Sequence, residues 1–235
     1  MATPMRRSAG AALALLLACA AAAHAQELSV TNPEHYTDNR GWNAAGLGPT
    51  HQVIVTATVT PSGMPTLVYA EKDGVREPLT HFPQPGAPDV YVLWKRYEPA
   101  PAGAWQVFAE RGAAQAAPVS TPVLKAPQKV PLIDKVRVTG KSTRPRISWR
   151  LPNLKGFDIE RIRVAVRGNP RVHGRFMSQL HVSGDLPPTA TRYTIPAGVL
   201  AAGERYVFQV MLEDLEGGAL ENRSLSFSDP YTVPH

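Results

Sequence analysis

The chain has 235 residues and carries 25 Lys and Arg against 19 Asp and Glu, a formal net charge of +6. A chain of this length builds one large domain or two small ones. Its one cysteine, Cys19, lies near the amino terminus, which excludes a disulfide framework and leaves the fold to rest on hydrophobic packing.

Residues 1–25 have the pattern of a cleaved secretory signal peptide. Two arginines form a basic start, the apolar run that follows is too short to span a bilayer, and residues 23–25 read Ala-His-Ala, which fits an A-x-A cleavage site. We therefore expect the mature chain to begin at Gln26 and to be exported to the periplasm or the extracellular space.

A second interpretation of the same segment remains open. The residues that end at Cys19 read Leu-Leu-Ala-Cys, which resembles a bacterial lipobox and would place a lipid anchor on that cysteine. No later apolar run is long enough to cross a bilayer, so the sequence predicts no membrane-spanning segment.

Residues 26–125 have the pattern of short strands separated by turns. Apolar and polar residues alternate through 53–60, and Asp73-Gly74 between two apolar runs predicts a hairpin. Residues 90–95 and 105–110 are predicted to pair with each other. Turns recur about every ten residues, which favours an Ig-like antiparallel β-sandwich.

One segment of this half, residues 32–51, shows neither a strand nor a helix period and is predicted to be a long loop. An aromatic ring beside amides and charges suits the recognition of a sugar or a peptide. The candidate binding residues are Tyr36, Asp38, Asn39, Arg40, Trp42 and Asn43. The alternative is that Trp42 caps one end of the sandwich and the polar residues form turns.

The chain divides into two predicted domains, residues 26–125 and 126–235. Four prolines between residues 117 and 132 are typical of a semi-rigid linker. The first domain has seven basic and nine acidic residues, whereas the second has sixteen basic and ten acidic residues, so only the second invites an anionic partner. We expect Trp94, Trp105 and Trp149 to lie in the hydrophobic cores.

The stretch 191–210 carries the sequence pattern on which the predicted fold of the second domain is based. Tyr193 and Ile195 alternate with polar residues, Leu200 fills the turn that follows, and Tyr206 begins the next strand six residues after that leucine. This spacing is typical of the tyrosine corner of Greek-key sandwiches. The stretch resembles the fibronectin type III pattern, and the resemblance implies a second β-sandwich.

Other segments of residues 126–235 follow the same family order. Arg-Ile-Ser-Trp at 146–149 resembles the second strand of the family, with its buried tryptophan. The predicted strands lie at residues 133–139, 144–152, 159–166 and 176–182, at two places within 191–210, and at 224–233. The resemblance implies that the first, second and fifth of these strands share a sheet.

Six basic side chains fall on outward positions of those three strands. Ile147 and Trp149 point inward, so the residues that alternate with them point outward. The six are Lys135, Arg137, Arg144, Arg146, Arg150 and Arg192. We predict one basic face that suits an anionic partner, against the alternative of a solvated surface that keeps edge strands from pairing. Arg161, Arg163 and Arg167 are expected on the opposite sheet.

Residues 213–218 read Glu-Asp-Leu-Glu-Gly-Gly and are predicted to form the loop after the sixth strand. Loops at this end of Ig-like domains often bind partners, and several oxygens together suit calcium, but no known ligand spacing is visible. The simpler interpretation is a solvated hairpin tip.

The motifs of catalysis and cofactor binding are missing from the sequence. The histidines show no metal-site spacing, no G-x-S-x-G elbow is present, and no glycine-rich loop opens a helix. We therefore expect no enzyme activity, metal or cofactor, and no nucleic-acid partner.

The sequence favours an exported, non-catalytic binding or structural module of the cell envelope that recognises a protein or an acidic glycan. Two alternatives remain open. One is a periplasmic chaperone, because pilus-type chaperones also have a signal peptide, two Ig-like domains and a basic balance, although their strand motifs are missing here. The other, less favoured, is an accessory subunit of an enzyme.

Overall fold

A computed structural model describes residues 27–41, 50–63, 66–83, 88–168 and 179–235. The described residues form strands and turns and contain no helix, which confirms the all-β prediction. The predicted signal peptide with Cys19, the predicted cleavage position, and the candidate binding residues Trp42 and Asn43 lie outside the described residues.

Within the described residues there are seventeen strands. The first nine are β1 (Ser29–Arg40), β2 (Thr50–Thr60), β3 (Leu67–Lys72), β4 (Val75–Pro78), β5 (Thr80–Phe82), β6 (Asp89–Lys95), β7 (Gln106–Arg111), β8 (Ala114–Gln115) and β9 (Val119–Ser120). The others are β10 (Val136–Thr139), β11 (Arg146–Trp149), β12 (Arg161–Gly168), β13 (Gln179–Val182), β14 (Arg192–Thr194), β15 (Arg205–Glu216), β16 (Ala219–Phe227) and β17 (Tyr231–Thr232).

These strands form three sheets. The largest has the order β13-β12-β15-β16-β1-β2-β6-β5, with β17 added beside β15. A three-stranded sheet, β10-β11-β14, packs against the β12 and β15 end of the large sheet. A five-stranded sheet centred on β3 and β7 packs against its β2 and β6 end.

The amino-terminal core lies between β2 and β6 on one side and β3 and β7 on the other. Val53, Val55 and Val59 are buried along β2, because alternate residues of a strand face the same side. Asp73 and Gly74 have φ angles of 51° and 76° in the turn between β3 and β4, which confirms the predicted hairpin.

The predicted pairing of residues 90–95 with 105–110 is wrong. β6 pairs with β2 and β5, whereas β7 pairs with β3, β8 and β9, so the two segments lie in different sheets. An alternating strand encodes which face is buried but not which strand is its neighbour. The connection between them is long enough to cross from one sheet to the other.

The expectation that three tryptophans lie in the cores is confirmed for Trp105 and Trp149, which are buried. Trp94 is instead 42% exposed. Its neighbours Tyr91 and Leu93 are buried in β6, and Trp94 lies one position beyond Leu93, on the opposite face of the strand.

The carboxyl-terminal core fills the space between the three-stranded sheet and strands β12 and β15. Ile147, Trp149 and Phe208 are buried together there. The predicted tyrosine corner is confirmed, because the hydroxyl of Tyr206 accepts a hydrogen bond of 2.9 Å from the backbone N–H of Ala201. The first, second and fifth strands of this half, β10, β11 and β14, share a sheet as the resemblance implies.

Strand β1 joins the two halves of the chain. One edge of β1 pairs antiparallel with β2, and the other pairs parallel with β16, from Thr37 opposite Asn222 to Arg40 opposite Leu225. The large sheet therefore crosses the boundary predicted near Ala126 without interruption. Each half has its own hydrophobic core, but the two share one sheet.

The loop predicted for residues 32–51 is wrong for residues 32–40, which belong to β1, and for residues 50 and 51, which belong to β2. A bulge shifts the register between Thr31 and Glu34. From His35 to Asn39 every residue is buried, and most are polar. Because polar side chains occupy both faces of this buried segment, the sequence shows no apolar alternation there.

Candidate functional site

Three bases of the basic face, Arg137, Arg146 and Arg192, lie on β10, β11 and β14, and the other three lie in the residues that flank β10 and β11. Arg137 of β10 lies opposite Ser148 of β11, and Ser148 lies opposite Arg192 of β14. Val136 and Ile147, which alternate with these residues, are buried in the core. All six predicted bases, Lys135, Arg137, Arg144, Arg146, Arg150 and Arg192, are exposed.

The six bases of this face have no acidic partner in the described part of the chain. Among the described residues, none of the six lies within 4.0 Å of an Asp or Glu carboxylate. A depression of about 500 Å³ on this face is lined by Asp134, Lys135, Arg137, Ser148, Trp149 and Arg150. The face therefore combines accessible positive charge with a concave surface that anionic groups can enter.

The arginines of β12 lie on the opposite sheet, as predicted, but they are engaged with other side chains. Arg161 donates from Nε to Glu213 at 2.6 Å, and Arg163 donates from Nη2 to the other carboxylate oxygen of Glu213, also at 2.6 Å. Arg167 donates to the amide oxygen of Gln209 at 2.8 Å. These arginines are only partly exposed, in contrast to the bases of the basic face.

A row of alternating charges crosses the large sheet where the two halves meet. Arg161, Glu213, Arg223 and Asp38 lie directly opposite one another on β12, β15, β16 and β1. Both carboxylates are 0% exposed. The Oδ2 atom of Asp38 lies 2.8 Å from Nη2 of Arg40 and 3.5 Å from Nη2 of Arg223. Each buried carboxylate therefore contacts two guanidinium groups. We call these four residues the charge row.

The predicted loop at residues 213–218 is wrong at its start. β15 continues through Glu216 and turns back at Gly217-Gly218, so Glu213 and Asp214 are buried strand residues. Among the described residues, no group of three or more His, Cys, Asp or Glu side chains is arranged to hold a metal ion. No helix in the described part of the chain is long and apolar enough to cross a membrane.

The candidate binding residues predicted in the first half belong to the junction between the halves. Tyr36 is buried, its ring lies 4.7 Å from the Arg223 guanidinium, and its hydroxyl accepts a hydrogen bond from Arg223 at 3.1 Å. Asn39 donates to the backbone carbonyl of Val130 at 2.7 Å. Asp38 and Arg40 belong to the ion pairs described above. These four side chains attach β1 to its neighbours and do not form an exposed binding surface.

The opposite face of the junction carries a polar network that the sequence did not predict. Asn222 is 0% exposed, donates to Asp214 at 2.8 Å, and accepts hydrogen bonds from Thr37 and from the backbone N–H of Gln128. Ser224 donates to the carbonyl of Pro131. The proline-rich linker is therefore bound along the sheet through side chains of β1 and β16. The sequence signal for this network is the run of polar residues at 221–224.

His35 sits at the edge of the same junction in a neutral state. Burial lowers the pKa of His35 to about 4, and the indole N–H of Trp105 donates to its Nε2 at 3.2 Å.

Positive charge accumulates on the outer face of the large sheet, which is the face that carries the charge row. Burial, together with the neighbouring charges of Arg223 and Arg40, lowers the pKa of Arg167 to about 10.

No protein-family model and no curated protein matches the chain. Among solved structures, the chain is similar to a crystal structure of the FN1–FN3 domains of chicken CNTN1, with 14% sequence identity and a TM-score of 0.31. The match covers 87% of this chain and 64% of that chain, so this chain spans less than two thirds of that structure. The architecture described above rests on the sheets themselves and not on this likeness.

Proposed function

We propose that this protein is an exported, non-catalytic binding module of the cell envelope that recognises an anionic partner through its basic face. The observation that carries the proposal is the set of six exposed bases, on or next to three adjacent strands, that have no acidic partner among the described residues. Like charges on neighbouring strands repel each other, and an anionic partner relieves that repulsion.

The partner that suits this face is an acidic glycan or an acidic surface of an envelope protein. Three neighbouring strands present the bases over a broad surface rather than inside a narrow cleft. Such a surface matches an extended polyanion, which contacts several bases at once and releases its counterions on binding. Binding of this kind weakens steeply as salt is added.

The proposal includes export and a two-domain organisation, with domains at residues 26–125 and 126–235. The Ala-His-Ala motif supports cleavage before Gln26. Intact-mass analysis of the exported protein should therefore show the loss of residues 1–25. A diacylglyceryl mass on Cys19 would contradict a soluble product and would place the protein on a membrane.

Retention on heparin resin tests the binding proposal, with heparin as a model acidic glycan. The test variant is Arg144/Arg146/Arg150→Ser, which removes three charges from the basic face. We expect the wild type to be retained at physiological salt and the variant to elute at distinctly lower salt. Failure of the wild type to bind would overturn the proposal.

A matched control separates a specific face from net charge. The variant Arg96/Lys155/Arg205→Ser also removes three positive charges, from exposed residues outside β10, β11 and β14. It should elute close to the wild type. If the test and control variants elute together, only net charge is being recognised and the basic face has no special role.

A further inference from the structure

The large sheet also carries a pocket on the side away from the two cores, at the point where β1 separates from the β15–β16 hairpin. The parallel pairing of β1 with β16 begins only at Thr37, so the preceding residues of β1 diverge from the hairpin. The gap is a cavity of about 260 Å³. Its walls include Tyr36, Arg161, Arg163 and Arg223, and Glu34 and His35 also line it.

The pocket combines three guanidinium groups with one phenol. Arg161 and Arg163 both bind the carboxylate of Glu213, and Arg161 also reaches the more exposed Asp185 at 3.3 Å. Arg223 contacts Asp38 and the hydroxyl of Tyr36. Each of the two buried carboxylates is thus shared between two arginines.

The arginines of this outer face outnumber the carboxylates that pair with them. Five partly exposed arginines, Arg40, Arg161, Arg163, Arg167 and Arg223, lie near the fully buried carboxylates of Asp38 and Glu213 and the exposed carboxylate of Asp185. Arginine stays protonated at physiological pH, so the excess is not removed by loss of protons. A partly shielded excess of positive charge is stabilised when an anion binds beside it.

Among the described residues, the buried Nε atoms of Arg163 and Arg223 have no hydrogen-bond acceptor. Guanidinium groups bind oxyanions through pairs of parallel N–H donors, which suits phosphate and carboxylate groups. The pocket is smaller than the roughly 300–1,000 Å³ of sites for drug-sized ligands, so its ligand is small.

From this geometry we propose that the pocket lined by Tyr36, Arg161, Arg163 and Arg223 binds a small oxyanion, a phosphate or a carboxylate of a low-molecular-weight compound. His35 contributes no charge to this site, because its pKa of about 4 leaves it neutral at physiological pH. Glu34 also lines the pocket, and its carboxylate accepts a hydrogen bond of 3.3 Å from the hydroxyl of Thr56. The site is independent of the basic face, which lies on the three-stranded sheet.

Calorimetric titration of the whole mature chain with inorganic phosphate and, separately, with succinate tests this proposal at constant ionic strength. We expect saturable binding of at least one of the two. We also expect a rise of the unfolding midpoint by about 3–6 °C when the ligand is present at ten times its Kd. Binding of phosphate alone identifies a phosphorylated ligand, and binding of succinate alone identifies a carboxylate. Binding of neither at millimolar concentration overturns the proposal.

The variant Arg163→Gln locates the site, because Arg161 remains to pair with Glu213. We expect its affinity to fall at least tenfold, and Arg161→Gln serves as a second test variant if the first is not folded by circular dichroism. The control Arg146→Gln removes one charge from the basic face and should leave the affinity unchanged. An equal loss in Arg163→Gln and Arg146→Gln would place binding elsewhere and contradict the proposal.

Discussion

The guanidinium of Arg223 lies 3.5 Å from the carboxylate of Asp38, across the parallel pair formed by β16 and β1. The two residues come from opposite ends of the chain, and both are largely shielded from water. A contact of this kind exists only when β1 has docked beside β16. The charge row therefore links the amino-terminal core to the carboxyl-terminal core.

Replacing Asp38 should destabilise the whole molecule. The variant Asp38→Asn leaves Arg40 and Arg223 without their shared carboxylate, and loss of one partner from a buried ion pair costs about 3–5 kcal/mol. Urea unfolding followed by circular dichroism measures the effect. As a control, Glu216→Gln breaks the exposed pair with Lys125 and should leave the midpoint unchanged. Equal effects of the two variants would show that the charge row does not stabilise the junction.

In the isolated segment 126–235, the backbone amides of β16 should lose their protection from hydrogen exchange. Without β1, the edge of β16 from Asn222 to Leu225 loses its parallel partner, and the buried side chain of Asn222 loses its contact with Thr37. We expect backbone amides of β16 that are protected in the whole chain to exchange rapidly in the segment. Hydrogen exchange followed by mass spectrometry compares the two, and equal protection would mean that the carboxyl-terminal half folds independently of β1.

Two tryptophans should differ sharply in their contribution to stability. Trp149→Ala removes a buried ring from the carboxyl-terminal core and should lower the free energy of unfolding by about 3–5 kcal/mol. Trp94→Ala removes a side chain of a residue that is 42% exposed and should cost clearly less. Urea unfolding of the whole chain measures both, and a similar loss for the two would contradict the assigned faces of β6 and β11.

Stability should fall as the pH is lowered from about 6.5 to about 4, in part through His35. The folded pKa of about 4 lies below the unfolded value of 6.5, so in this window the unfolded chain binds a proton that the folded chain does not. A shift of this size corresponds to about 3 kcal/mol at the acid end. The variant His35→Gln keeps an acceptor for the Trp105 indole but does not titrate, so its unfolding free energy should depend less on pH. Parallel pH dependence of wild type and variant would contradict the role of His35.

The features that the sequence predicted correctly are local ones. The hairpin at Asp73-Gly74 and the tyrosine corner at Tyr206 each depend on residues a few positions apart, and both appear in the structure. The placement of β10, β11 and β14 in one sheet is not local, and it was implied by the resemblance of this half to a known family order.

The junction could not be predicted in the same way. The buried side chains of β1 around Asp38 are mostly polar, so this segment shows no apolar period. Its partner β16 lies at the far end of the chain, and a single sequence does not report pairings of such separation. The sequence also predicts a loop for the run that includes Glu213 and Asp214, because acidic residues in a buried strand are rare unless they are paired.

The most direct test of the proposed function is the salt dependence of binding to a soluble sulfated oligosaccharide, measured as Kd at several NaCl concentrations. Counterion release predicts that log Kd rises linearly with log [NaCl], with a slope that reflects the number of bases in contact. We predict a steep slope for the wild type and for Arg96/Lys155/Arg205→Ser, and a shallower slope with weaker binding for Arg144/Arg146/Arg150→Ser. Identical slopes and affinities for the two triple variants would contradict a specific anion-binding role for the basic face.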